Sequence, residues 1–313
     1  MANSKKKIVS GGALGLTFLI AYAIFGGFKD IIVGHQGGYY DIFMMVFVVF
    51  GITTLFFQIL WHTKRQSTPG LRQLARIRGA QRDLVLLNVA TMITWLGTYK
   101  GLVLLEPALA AALLGGFAPI LMAAGDWWLR GKLPSRVDWW VGSSILVVSI
   151  GIMGLSLGGY SAKPQNHAAL GIVVCFFAAL GMALVSLFAK RLYDHGCSAV
   201  FIMGNRFYVL LIVALLLQED PSKLISFIAN EWHWLLPLTG IGVILSLYLL
   251  QEGTRLCQPI TVGLIFAVSP SATLLAEGFD PEIHVMALSI VANLLVVAIS
   301  CVGVFWHWKR GRL

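Results

Sequence analysis

The chain has 313 residues, 58% of them hydrophobic and only 12% charged, with a mean hydropathy of +0.82. A soluble domain carries about 25% charged residues, so a soluble globular protein is excluded and an all-α, polytopic membrane protein is implied. The net charge of +9 follows from membrane topology and needs no nucleic-acid partner, because the cations are sorted by side.

A membrane helix needs about 20 apolar residues. Ten such helices with short connections fill the chain, near 8–28, 41–62, 83–104, 107–129, 137–157, 169–190, 197–217, 232–254, 259–279 and 284–306. The first is too long for a cleaved signal peptide and lacks a small-residue cleavage site, so it reads as a retained span. With the N-terminus in the cytoplasm, Lys5, Lys6, Lys7, the six basic residues of 63–82, Arg130, Lys132, Arg136, Lys190, Arg191, Arg255, Lys309, Arg310 and Arg312 all fall inside. Only Lys29, Lys100, Lys163 and Lys223 fall outside, which orients both termini to the cytoplasm. Trp61, Trp127, Trp128, Trp139, Trp140, Trp232, Trp234, Trp306 and Trp308 sit at predicted helix ends, where indoles favour the headgroup layer. Cys175, Cys197, Cys257 and Cys301 lie outside the external loops, so no disulfide is expected.

The third helix carries Asn88, Thr91, Trp95 and Tyr99 at spacings of one helical face. Polar groups in lipid need partners, so that face turns inward. It reads as a wall on which an organic substrate stacks; helix–helix hydrogen bonding with Trp95 as packing is the alternative. The eighth helix offers Thr239, Ser246, Tyr248 and Gln251. Arg206 lies about 12 Å into the seventh helix at 1.5 Å per residue. A charge at that depth costs about 2.5–3.5 kcal/mol and faces the bundle interior with a partner, so Arg206 is a candidate substrate or counter-ion contact.

The chain also repeats itself. Gly101, Glu106, Pro107, Pro119 and Asp126 are matched about half a chain later by Gly253, Gln258, Pro259, Pro270 and Glu277. Chance likeness among apolar, glycine-rich segments is the competing account, but five features at nearly fixed spacing argue for a repeat. Halves at 1–160 and 161–313, each of five helices, lie in the membrane in opposite orientation, as in many secondary transporters. The repeat equates Lys100 with Glu252, and Asp126 with Glu277. It suggests an outer gate pair, Lys100–Glu277, and an inner cluster of Arg206 with Glu252 or Asp126. Pro119 and Pro270 are hinge candidates within their helices, whereas Pro107 and Pro259 sit at helix starts.

Enzymatic chemistry finds little support. The stretch "GLSLG" (154–158) satisfies G-x-S-x-G, and a hydrolase using Ser156 would look to His167 for its base, but strand–turn–helix context is missing. HExxH, Walker A, GxGxxG and Cys/His clusters are absent, so no catalytic residue, cofactor or metal is expected. A channel or facilitator is the other alternative, but no filter-like loop or ring of charge is present.

At this point the chain resembles the EamA-type transporters of the drug/metabolite transporter superfamily. The resemblance rests on "PALAAALLGGFAPILMA" (107–123), "LRGKLPSRVDWWVGSSILVVSIGIMGL" (129–155), "LGIVVCFFAALGMALVSLFAKRL" (170–192) and "PITVGLIFAVSPSATLLAEG" (259–278), and spans the whole chain. Departures are "LRGKL" (129–133) where the family often has LGERL, with Glu277 or Glu282 filling the role in the second half, and Asp41 where an arginine is common. Arg206 matches the family's second-half counterpart of that arginine. The resemblance implies a bacterial inner-membrane location, a cavity lined by the third and eighth helices, and export of amino acids or related small organic metabolites. Proton exchange through Asp126, Glu252 or Glu277, uniport, and exchange of two solutes are all compatible with it. Oligomeric state is not encoded in any feature above.

Overall fold

A computed structural model describes residues 2–63, 77, 79–131, 133–155, 165–278 and 287–310. Ser156 and the basic residues Lys64, Arg65, Arg72, Arg76, Arg78, Lys132, Lys163 and Arg312 lie outside the described residues, as does Glu282. The described chain is helical throughout: α1 (Ala2–Gln36), α2 (Ile42–Thr63), α3 (Ala80–Leu104), α4 (Pro107–Arg130), α5 (Arg136–Leu155), α6 (Gln165–Asp194), α7 (Ala199–Asn205), α8 (Tyr208–Leu217), α9 (Leu224–Pro237), a π-helical segment (Leu238–Leu245), α10 (Ser246–Leu256), α11 (Pro259–Glu277) and α12 (Ala287–Lys309). Joined across their breaks, α7–α8 and α9–π–α10 are single membrane-length units, giving ten. Among the described residues, eight of these units are long and apolar enough to cross a bilayer, with mean hydropathies of 1.7–2.6.

The surface is the reverse of a soluble protein's. Leu14, Ile20, Ile24 and Phe28 on α1, Leu55 and Ile59 on α2, and Val291 and Leu294 on α12 are exposed. Apolar area on that scale is stable only against lipid. Polar side chains turn inward: Lys29, Asp30, Asn88, Thr91, Arg206 and Thr273 are all buried. Of the tryptophans, Trp127, Trp128, Trp139, Trp140 and Trp308 are exposed at helix ends, and Trp232 is exposed within the helix that begins at Leu224. Trp234 departs from the expected belt: it is buried, donates from Nε1 to Glu231 Oε2 at 2.7 Å, and packs on Phe227 and Tyr40. The four cysteines are free thiols, three buried and Cys301 exposed.

Three expected boundaries are corrected. The first helix does not stop at 28 but runs to Gln36, because Ile31, Ile32 and Val33 continue its apolar pattern beyond Lys29 and Asp30. Lys29 is therefore a buried residue of the bundle, not an external loop cation. The seventh helix is broken at Arg206, between α7 and α8. The eighth starts at Leu224 rather than near 232 and carries a π-helical segment straight after Pro237, a residue that cannot supply the i→i−4 donor.

The packing pairs recur. α3 lies along α6 and α10 along α1; α4 packs on α6 and α11 on α1; α4 packs on α5 and α11 on α12. Across the bundle α4 meets α11, α5 meets α12, and α2 meets α7. At the α4–α11 crossing the backbones touch: a Cβ on Gly115 would collide with the Phe266 carbonyl, and one on Gly263 would lie 3.0 Å from Pro119 Cα.

Candidate functional site

The site forms where the seventh span breaks. Arg206 (φ −99°, ψ −7°) and Phe207 (φ −108°, ψ 0°) leave helical geometry, so α7 ends with carbonyls that have no partner in their own helix. Neighbouring helices supply donors. Gln58 Nε2 of α2 donates to Gly204 O at 2.7 Å, and Asn88 Nδ2 of α3 donates to Asn205 O at 2.8 Å. Asn205 Nδ2 donates back to Phe201 O at 2.8 Å. Irregular backbone survives at membrane depth only when buried and satisfied in this way. Arg206 sits at the C-terminal end of α7, where a cation suits the helix dipole.

The Arg206 side chain is 1% exposed. Its guanidinium lies 5.0 Å from the Phe207 ring centroid, and its Nη1 reaches Met203 Sδ at 3.8 Å, a weak contact. Nε has no hydrogen-bond partner. Among the described residues no carboxylate pairs with this arginine.

Arg206 faces a central cavity with Lys29 and Asp30 of α1. These two form a buried ion pair, and Thr273 Oγ1 of α11 donates to Asp30 Oδ2 at 3.2 Å. Lys29 Nζ lies 5.4 Å from the Trp95 ring centroid. The lysine stem passes close to the π-helical segment, where a Cβ on Gly242 would sit 3.1 Å from Lys29 Cβ. Thr94, Trp95 and Thr98 of α3, Leu114 of α4, Ser186 of α6, Leu250 of α10 and Ser269 of α11 complete the wall. Behind it Phe50 joins Trp95, Tyr99 and Phe207 at ring-centroid distances of 4.8, 5.9 and 5.1 Å. The space is about 40 Å³, enough for a few waters at roughly 10–15 Å³ each. Any larger guest requires the helices to part.

The residues singled out from sequence divide accordingly. Trp95 and Arg206 line the cavity. Tyr99 and Thr91 are buried, with Tyr99 in the aromatic layer behind Trp95, and Asn88 braces the helix break. The remaining candidates make local or packing contacts. The Ser246 hydroxyl bonds back to Gly242 O within the π-helical turn, Tyr248 stacks on Phe57 at 6.2 Å, and Gln251 Oε1 accepts from the Tyr193 hydroxyl at 2.9 Å. The expected gate pairs are replaced by others. Asp126 pairs with Arg130 at 3.1 Å and Glu252 with Arg255 at 2.6 Å, so neither reaches Arg206. Lys100 is exposed, and buried Glu277 accepts from Ala108 N–H at 2.7 Å, at the N-terminus of α4. Local i,i+3 and i,i+4 partners win because they cost no displacement of a helix. Pro119 and Pro270 lie inside α4 and α11 as expected.

Sequence reasoning missed Lys29 and Asp30. The signal was present: three apolar residues follow the Lys-Asp pair, so the helix continues and carries the charges inside.

The apolar shell, the polar centre and the helical architecture together define a polytopic helical membrane protein. No family model and no curated protein matches the chain. Its fold is shared with a solved structure, a crystal structure of a protein at 16% sequence identity, with a TM-score of 0.68 over 95% of this chain and 96% of that one.

Proposed function

We propose that the chain is a secondary transporter of the EamA type that moves a small organic metabolite by alternating access, with export as its expected direction. The observation that carries this reading is the charged cavity at a broken helix, walled by α1, α3 and α4 of the first half and by α6, Arg206, α10 and α11 of the second. Discontinuous membrane helices mark binding sites in transporters built from inverted repeats. The recurrence of packing pairs supports such a repeat. A two-fold axis relating residues 1–160 to 161–313 would generate α3–α6 from α10–α1, α4–α6 from α11–α1, and α4–α5 from α11–α12, and would leave α4–α11 and α5–α12 paired across it.

In this scheme the close α4–α11 crossing is the pivot, and the cavity opens to one face or the other as the halves rock. Asp30, paired with Lys29, is the carboxylate that lines the cavity. The Phe50, Trp95, Tyr99 and Phe207 layer gives the cavity a stiff floor.

The test does not require the solute to be known. In a background lacking Cys175, Cys197, Cys257 and Cys301, Ser269→Cys is placed in proteoliposomes and treated with a membrane-impermeant thiol reagent from each face. Reaction from both faces, without an ion conductance, is expected. Reaction from one face only, or an open conductance, overturns the alternating-access reading.

A further inference from the structure

We propose that the transported solute is an organic monoanion whose carboxylate is held by Arg206 while its apolar body lies against Trp95. The proposal rests on the transporter reading and names the substrate class of the same cavity.

Charge comes first. Two cations, Lys29 and Arg206, face one carboxylate, Asp30. Lys29 and Asp30 neutralise each other, and Thr273 satisfies a further position on Asp30. One positive charge is left over, on Arg206, in a site that is almost wholly out of water. An isolated buried charge is unfavourable until a counter-ion arrives. Among the described residues, the carboxylates of Asp83, Asp126 and Glu252 are committed elsewhere, to Arg191 at 3.0 Å, to Arg130 and to Arg255. A guest with one negative charge fills the deficit.

Geometry then selects the group. A guanidinium offers a planar edge of N–H donors that matches a carboxylate with two parallel hydrogen bonds. The Arg206 Nε–H is buried and unused, and its weak sulfur contact yields readily to an oxygen acceptor. A phosphate monoester brings a charge of about −1.5 to −2 and overcompensates the site.

Lys29 supplies the discrimination. Its ammonium lies over Trp95 and is already paired with Asp30, so a solute amine meets a cation and finds no free carboxylate. Acids without an amine are therefore preferred over amines and over zwitterionic amino acids. Trp95, Leu114, Leu250 and Phe266 provide the apolar contact for the rest of the solute.

The experiment uses the purified full chain in detergent. Monocarboxylates from formate to 3-phenylpropionate are compared with the matching amides and amines, and 3-phenylpropionate also with phenylalanine and phenyl phosphate. Thermal unfolding and tryptophan fluorescence are the readouts, since a ligand of the folded state raises its melting point. At least one acid should raise the melting point saturably, with its amide, amine and zwitterion weaker by tenfold or more. Arg206→Gln should remove the shift, and Arg206→Lys should retain part of it. Absence of a shift from every acid, or an amide, amine, zwitterion or phosphate binding as well as the best acid, overturns the proposal. The wild-type comparison decides even where the variants fold poorly. The thiol-accessibility result above stands apart from it, so failure of the anion preference and failure of transport are distinguishable.

Discussion

Asn88 offers a direct measure of what holds the helix break in place. Its amide Nδ2 donates to Asn205 O at 2.8 Å and to Leu84 O at 3.0 Å, and the residue is 6% exposed. Asn88→Leu keeps the volume and deletes both donors. The Leu84 carbonyl keeps its place within a continuous helix, whereas the Asn205 carbonyl loses its bond at a helix end from which water is largely excluded. An orphaned buried acceptor costs about 1–3 kcal/mol, while interhelical hydrogen bonds in a membrane protein average about 0.6 kcal/mol with a maximum near 1.7. The lower scale governs here, because the partly unfolded chain in a micelle also finds donors. The expected loss is about 1–1.5 kcal/mol, above the membrane average because the carbonyl has no helical substitute. Gln58→Leu should cost less: its partner Gly204 O is equally orphaned, but Gln58 is only half-buried and the Tyr208 hydroxyl is at hand as a replacement donor. Reversible unfolding in mixed micelles of mild detergent and dodecyl sulfate measures both. Asn88→Leu costing less than about 0.3 kcal/mol, or less than Gln58→Leu, would refute the account of the break as a backbone defect satisfied by α3.

The same assay tests two further sites. Asp30→Leu leaves Lys29 as an uncompensated buried charge in a cavity that already holds Arg206 and should destabilise the fold by about 3–5 kcal/mol, whereas Lys29→Met with Asp30→Leu removes the pair together and should recover most of that loss; equal cost for single and double variants would show that the pair is not a closed unit. Gly263→Val should cost at least the 1–3 kcal/mol typical of overpacking, because even its Cβ would meet Pro119 Cα at 3.0 Å and Pro119 N at 3.2 Å, and a wild-type melting curve for this variant would place the α4–α11 crossing elsewhere.

How much of this was legible beforehand follows from which forces were local. Helix existence was written in apolar runs long enough to span lipid, so ten units could be read from the chain. Chain direction changes at Pro107 and Pro259 were equally plain, because proline at a helix start is a local rule, and the structure begins α4 and α11 at those residues. The break at Arg206 left no such mark. "MGNRFYVL" contains no proline, and its irregular backbone is stabilised by Gln58 and Asn88, which stand 146 and 117 residues away from the carbonyls they satisfy. A sequence pattern cannot report a helix end whose caps are tertiary.

The charges show the same division from the other side. Reading Lys29 as a loop cation applied the sorting of lysines by side to a residue whose neighbour was its own counter-ion. A Lys-Asp pair adjacent in sequence carries no net charge, so it costs the bilayer far less than either residue alone and need not end a span. Arg206 has no such neighbour, which is why it stood out at once, and why its expected partners Glu252 and Asp126 were sought at a distance. Both acids are satisfied within one turn of their own helices instead. Among the described residues, Arg206 is thus left without a carboxylate partner, beside an aromatic wall and at a helix end. Among the described residues the buried acids Asp30, Asp83 and Asp138 each have a cationic or imidazole partner, whereas Arg206 has no carboxylate; under the proposal above, that imbalance is what a negatively charged guest would relieve.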